Sequence, residues 1–452
     1  MNFFPLILLF WCGSTMALLN PAIVWQQPSI DPTNLRTAGN YQFAAPTSSA
    51  AIIPTIGTTV EYIVGVEYVE SNDVNVIVSR SVESGQLLWS YQTNFSFNDA
   101  DWFPPAAIMS TSSKNSEVLI YINIIEFSFY YAYFQTLSIP HNGTSLNKCS
   151  LGMQTPPPIL NTLNGDVYFY TSSSEDRTVH RYAGSRDLCV PLVSSKPIPT
   201  TNNQYDSGAP GLSISSTGLT VMLNTNEEML TLMRFDPTNL SVIWEREIKP
   251  PLRYQSCTPS KETPNGNNIL LSDQNDVYLH YTCKDNARNK AIVKIDGDTS
   301  EVLGFLVMSI PESYSSNYLQ SLGFLQRDSL QTPCFGMTDG GLLNFSCMSG
   351  SWDVYLSAEK FQSNLAHPFQ GNYLWQIEQG DSGSFLVGYS GAGFSKTPPV
   401  STFQISIADL PSISAVTFLP AHISPTGTAL VLASYPGGLS LLRAIEREQK
   451  ID

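Results

Sequence analysis

The chain has 452 residues, a formal net charge of −15 and only 13% charged residues. Its few Lys and Arg are scattered, so it lacks the basic stripe that a phosphate backbone or an anionic membrane surface demands, and neither is an expected partner. Low charge with abundant Ser, Thr, Asn and Tyr suits an extracellular all-β protein.

Residues 1–17 hold an apolar core from Phe3 to Trp11, then small residues ending Thr15-Met16-Ala17, the layout of a secretory signal cleaved near Ala17. The run falls short of the ~20 residues needed to span a bilayer. A buried first strand or a membrane anchor is the alternative reading. Phe10 and Trp11 stand where a lipoprotein signal around Cys12 would need small residues, which excludes that route. Further on, residues 118–134 (VLIYINIIEFSFYYAYF) are the most apolar stretch, but Asn123, Glu126 and Ser128 interrupt it. Its β-branched and aromatic residues predict two buried strands and no membrane insertion. The tail, 443–452, carries neither a lipid-anchor nor a retention signal.

Three stretches align without a gap: 81–89 (SVESGQLLW), 236–244 (DPTNLSVIW) and 296–304 (DGDTSEVLG). Each runs from an alternating strand through a tight polar turn into an apolar strand, the repeat expected of β-propeller blades. Trp89 and Trp244 are 155 residues apart, three blades of about 52, and Trp244 and Gly304 are 60 apart, one blade. Near the start, Pro21-Ala22-Ile23-Val24-Trp25 matches the end of such a repeat without a blade before it. Residues 429–445 offer two strands around Pro436-Gly437-Gly438 but no outer Trp strand. The N-terminal strand is therefore expected to complete the last blade, closing the ring and covering an edge. The predicted blades are 50–92, 103–151, 155–193, 207–248, 256–307, 318–359, 365–418, and 420–447 with 21–27. That is an eight-bladed all-β propeller in one domain, 18–452, with seven blades and an insertion as the alternative. Helical periodicity is nearly absent, apart from a short turn expected after Leu439.

The pattern of strand, Asp-x-x-[Thr/Ser/Asn]-[Gly/Ser], apolar residues and Trp resembles the repeat of quinoprotein alcohol dehydrogenase-like propellers. In that superfamily the Trp docks between neighbouring blades, which the resemblance assigns to Trp25, Trp89 and Trp244. Its catalytic members carry adjacent cysteines beside the quinone and acidic and amide calcium ligands, and some carry a Cys-x-x-Cys-His haem site. This chain has no Cys-Cys pair and no haem motif. The resemblance therefore implies a non-catalytic member without cofactor, using the ring as a binding platform.

Apart from Cys12, six cysteines remain: Cys149, Cys189, Cys257, Cys283, Cys334 and Cys347. An even number in a secreted chain predicts disulfides, with 15 possible pairings. Sequential pairing is expected, with Cys257–Cys283 and Cys334–Cys347 each stapling neighbouring strands of one blade and Cys149–Cys189 tying one blade to the next. Zinc would need closer Cys spacing. Four sequons, at Asn94, Asn142, Asn239 and Asn344, predict an N-glycosylated surface.

Several motifs invite chemistry. Residues 380–388 (GDSGSFLVG) resemble the nucleophile motif of trypsin-like proteases, casting Ser382 as nucleophile. None of His141, His180, His280 or His367 has the matching setting for its base, so a hairpin turn is expected. Residues 296–301 resemble the start of a calcium loop but lack its sixth-position glycine and distal glutamate, and 273–276 reads as another hairpin turn. Glu126, Asp99 and Asp101 are the carboxylates to inspect for burial, since a glycosidase needs a facing pair. The aromatics of 127–134 would pack between blades or line a groove.

The expectation is a secreted or secretory-pathway propeller that binds a protein or glycan and catalyses nothing. An oxidoreductase or hydrolase working at the channel mouth is the alternative.

Overall fold

The computed structural model describes residues 23–32, 41–44, 62–69, 74–92, 108–112, 117–124, 133–140, 148–153, 159–160, 166–172, 176–182, 193–196, 198–199, 212–215, 217–224, 230–259, 269–272, 274–313, 319–327, 330–339, 342–349, 354–362, 364–365, 368–419 and 428–445. Most of them are strand. The helical pieces among the described residues are the short helix Gly391–Phe394 and one 3-10 turn, Leu252–Tyr254.

The described strands form eight sheets, at residues 41–92, 108–153, 159–199, 212–248, 269–309, 320–362, 369–406, and 415–445 with 23–28. Seven have four strands, and the third gains a short fifth, Ile198–Pro199, beside Asp176–Tyr182. Each is an antiparallel meander, since tight polar turns return the chain beside the strand just made. The last sheet takes its fourth strand from the other end of the chain. Ile23–Pro28 pairs with Gly438–Ile445, placing Trp25 opposite Leu441 and Ile23 opposite Leu442.

The first strands of successive sheets lie against one another. Tyr41–Ala44 meets Ile108–Ser112, which meets Ile159–Leu160, and the order continues through Leu212–Ile214, Ile269–Leu271, Gln320–Arg327 and Phe369–Gln370 to Ala415–Leu419. Ala415–Leu419 in turn meets Tyr41–Ala44. Sheets set side by side on their first strands make an architecture of the β-propeller type.

Sheets flanked on both faces bury both, and Leu230–Phe235 is buried at every position, Thr231 and Arg234 included. The cores bridge neighbours. Leu232 and Ile248 pack with Leu279, Val293 and Phe305 between the fourth and fifth sheets. Trp375 and Phe403 pack with Val431 and Leu442 between the seventh and eighth. Trp25, Leu432 and Leu441 pack with Ile63 and Val78 between the eighth and first. Burying each large apolar side chain stabilises by about 1.5–3 kcal/mol, so the inter-sheet seams hold most of the packing free energy.

Three boundaries differ from the sequence expectation. The first sheet begins at Tyr41, not near residue 50, with Tyr41–Ala44 far in sequence from its partner Tyr62–Val69. Ala415–Leu419 opens the eighth sheet instead of ending the seventh, whose outer strand is Phe403–Ser406. The turn expected after Leu439 is strand, because Leu439 and Leu441 point into the seam with the first sheet. Residues 1–17, the expected leader, lie outside the described residues. No described helix is long and apolar enough to cross a membrane.

Candidate functional site

The three aligned repeats share one backbone conformation. Asp236 and Asp296 each accept two turn amides at Oδ1, from Thr238 and Asn239 and from Asp298 and Thr299, at 2.7–3.2 Å. Ser81 does the same more weakly, accepting from Ser84 N–H at 3.3 Å. Side chains that bond their own backbone in this way favour turns over continued strand. The Thr299 amide, more than any other group, holds the Asp296 carboxyl below its ordinary range. The fifth residue of each repeat takes the left-handed conformation: Gly85 at φ 70°, Leu240 at 55° and Ser300 at 64°.

This turn presents the carbonyl of its second residue to the preceding sheet, where a side-chain donor meets it. Trp25 Nε1 donates to Val82 O at 2.7 Å, Tyr168 OH to Pro237 O at 2.7 Å, and Trp244 Nε1 to Gly297 O at 3.0 Å. Trp89 is likewise buried, paired opposite Ser79. Tyr168, on the second strand of the third sheet, had no signature in the repeat alignment. The turns thus act as sockets.

Arginines reinforce these sockets, Arg80 and Arg234 buried and Arg181 half-buried. Arg234, 2% exposed, donates to Gly297 O, to Thr217 Oγ1 and, at 3.1 Å, to Asn275 Oδ1. Burial lowers its pKa against the pull of Asp298 and Asp296. Arg181 pairs with Asp166 and donates to Thr238 O in the next sheet. Arg80 bonds Glu67 Oε1 through Nε and Nη2 at 3.2 and 3.1 Å, and donates to Pro28 O at 2.9 Å. Glu67, fully buried, also accepts the backbone N–H of Ile30. One buried ion pair therefore grips the end of the strand Ile23–Pro28 and the residues after it. Sequence reasoning passed over all three arginines. A signal existed, since Arg80 and Arg234 stand one and two residues before a repeat turn.

The other candidates have structural placements. Asp381 and Ser382 are the exposed two-residue turn between Tyr373–Gly380 and Gly383–Tyr389, with Gly380 opposite Gly383. His180 Nδ1 meets Ser194 Oγ at 2.8 Å, and burial lowers its pKa. His280 is 2% exposed, beside the Phe335 ring. Burial, with the Lys290 charge adding to it, pulls its pKa down to about 3. The Lys290 ammonium is held by Thr282 Oγ1 and the Ala287 carbonyl at 2.8 and 2.7 Å. The calcium-like stretch at 296–301 is a repeat turn. The described residues offer no cluster of three or more His, Cys, Asp or Glu able to hold a metal. Asp99, Asp101, Glu126, His141 and His367 lie outside the described residues, as do the aromatics 127–131.

Among the described residues two disulfides are present. Cys334 and Cys347 face each other on adjacent strands of the sixth sheet. Cys257 and Cys283 also pair as expected, but Cys257 sits in the connection between the fourth and fifth sheets and not on a neighbouring strand. That bond ties the connection to the end of Asp276–Thr282, beside the Pro259–Cys283 bridge. Cys149 lies on Lys148–Met153, and Cys189 lies outside the described residues. Of the sequons, Asn239 is exposed in a repeat turn and Asn344 is half-buried within Leu342–Met348, while Asn94 and Asn142 lie outside the described residues.

No family profile matches the chain, and no curated protein matches it in sequence. Among solved structures it is similar to a europium-containing methanol dehydrogenase, at 9% identity and TM-score 0.48, over 94% of this chain and 96% of that one. It is similar to the WD40 domain of Toxoplasma gondii coronin at 11% identity and TM-score 0.39, over 93% and 90% of the two chains. A Dos1 propeller is similar at 9% identity and TM-score 0.38, over 84% and 75%. The assignment to the propeller type rests on strand pairing and inter-sheet contact, and these likenesses lend the chain no activity.

Proposed function

We propose that the chain is a secreted, disulfide-bonded, N-glycosylated propeller of eight blades, closed by its N-terminal strand, that serves as a non-catalytic scaffold for a protein or glycan. The observation that carries this reading is the use made of buried charge. The buried Glu67, Arg80, Asp166 and Arg234, with the half-buried Arg181, are engaged in holding sheets together. A fold that commits most of its buried ionic groups to seams, Lys290 excepted, leaves recognition to loops and surface. Closure through Ile23–Pro28 is supported by its backbone pairing to the last sheet and by its Trp25 and Gln27 bonds to the first. The quinoprotein-like repeat supports the fold class and no cofactor.

The test uses the full chain expressed with its own leader. The product is expected in the medium, with an N-terminus near Leu18. Calorimetric titration with pyrroloquinoline quinone and calcium is expected to give no binding heat. Saturable binding to a defined glycan, or to a partner rebuilt from purified components, is the expected positive result. Tight quinone binding would overturn the scaffold reading in favour of an oxidoreductase, and retention of an uncleaved chain inside the cell would overturn secretion.

A further inference from the structure

Among the described strands, the outermost strand of the fourth sheet, Val242–Ile248, pairs on one side only, with Leu230–Phe235. Its first two residues are apolar and exposed, Val242 at 49% and Ile243 at 48%, as are Leu87 and Leu88 (45% and 52%) at the same place in the first sheet, which has no described sequon beside it. An exposed apolar edge is a template for pairing with another chain. Three residues before Val242 stands Asn239, in the turn that leads into this edge. Its Oδ1 accepts the Ser241 amide at 2.8 Å, and the residue is exposed. Asn344, in the other described sequon, differs. It lies inside a central strand opposite Met337, between Leu343 and Phe345, which are 1% and 2% exposed. A branched sugar there would have to leave from the half-buried face of a central strand that is packed against its neighbours.

Resting on the secretory reading above, we infer that Asn239 carries the N-glycan of the fourth sheet, that this glycan covers the Val242–Ile243 edge, and that Asn344 stays unmodified. In the transfer, a bond forms between Asn239 Nδ2 and the anomeric carbon of a lipid-diphosphate-linked oligosaccharide. The bond from that carbon to the diphosphate oxygen breaks, its electron pair leaves with the lipid diphosphate, and one Nδ2 proton passes to a base of the transferase. The attached sugar starts within a few residues of both apolar side chains. Its bulk and hydration block strand addition at this edge.

The experiment treats the secreted full chain with an amidase that removes N-glycans in heavy-oxygen water and maps the labelled asparagines by mass spectrometry. Label at Asn239 and none at Asn344 is expected. Label at Asn94 or Asn142 with none at Asn239 overturns this inference and leaves the secretory reading standing. A secreted chain with no label at any sequon overturns this inference together with the N-glycosylated part of the reading above. The covering role is read from Ser241→Ala, which removes the sequon and keeps the backbone hydrogen bond. By light scattering this variant is expected to self-associate, and Ser241→Ala with Ile243→Lys is expected to return to the wild-type size. A Ser241→Ala protein that stays at the wild-type size overturns the covering role.

Discussion

Trp25 and Val82, 57 residues apart, are joined by an indole N–H to carbonyl hydrogen bond of 2.7 Å. It ties the strand at the start of the chain to the sheet beside the one that strand completes. The same bond recurs between Trp244 and Gly297, so Ile23–Pro28 behaves as an ordinary outer strand docking into its neighbour's turn.

Replacing Trp25 tests how much of the seam depends on this dock. Trp25→Phe keeps most of the buried ring and loses one hydrogen bond, and is expected to cost about 1 kcal/mol. Trp25→Ala also opens a cavity and is expected to cost about 3–5 kcal/mol. Urea denaturation of the full chain provides the measurement. Equal stability of Trp25→Ala and wild type would show that the strand is not held there.

Glu67 holds both Arg80 and the Ile30 amide from a fully buried position. Glu67→Gln leaves a guanidinium buried without its counter-charge, and a loss of about 3–5 kcal/mol is expected. Combining it with Arg80→Met removes the stranded charge and is expected to recover part of that loss. A double-mutant cycle on unfolding free energies checks this, and additive losses would refute the coupling.

The repeat turns and the partnership of the two chain ends were legible in the sequence because both follow local pattern. Turn residues at fixed offsets show themselves at 81–89, 236–244 and 296–304, and Pro21 to Trp25 had a matching repeat but no blade of its own. The disulfide between Cys334 and Cys347 was legible for the same reason, since cross-strand neighbours lie close in sequence. Elements without a local signature were not. Tyr41–Ala44 is separated from its partner by a long segment, and Ala415–Leu419 follows no repeat turn. The buried arginines were hidden because a charged residue in a strand ordinarily faces water. Only the arrival of the next sheet's carbonyls makes burial of Arg234 tolerable.

The left-handed position of the turns gives a stabilising substitution. Ser300 stands at φ 64° where the first repeat has Gly85 at 70°. A side chain in this conformation costs about 1–2 kcal/mol, and glycine's extra freedom in the unfolded chain offsets part of the relief. Ser300→Gly is therefore expected to stabilise by about 0.5 kcal/mol. Gly85→Ala is expected to destabilise, since its added Cβ would lie 2.6 Å from Trp25 and Gln27 atoms. Thermal melts of the two variants should move in opposite directions.

Acid sensitivity follows from His280, whose pKa falls from 6.5 to about 3, chiefly through burial and secondarily through Lys290. The unfolded chain binds a proton at this site more readily than the folded one, so acid favours unfolding. The contribution to stability is complete above pH 6.5 and shrinks as pH falls from there toward the folded value near 3. In that window one proton's uptake changes stability by about 1.4 kcal/mol per pH unit. His280→Leu keeps an apolar side chain against Phe335 and removes the titration. Its unfolding free energy is expected to decline less steeply than wild type between pH 6 and pH 4, flatter by roughly one proton. Parallel declines in the two proteins would mean that His280 is protonated within the fold and that the acid slope arises from other groups.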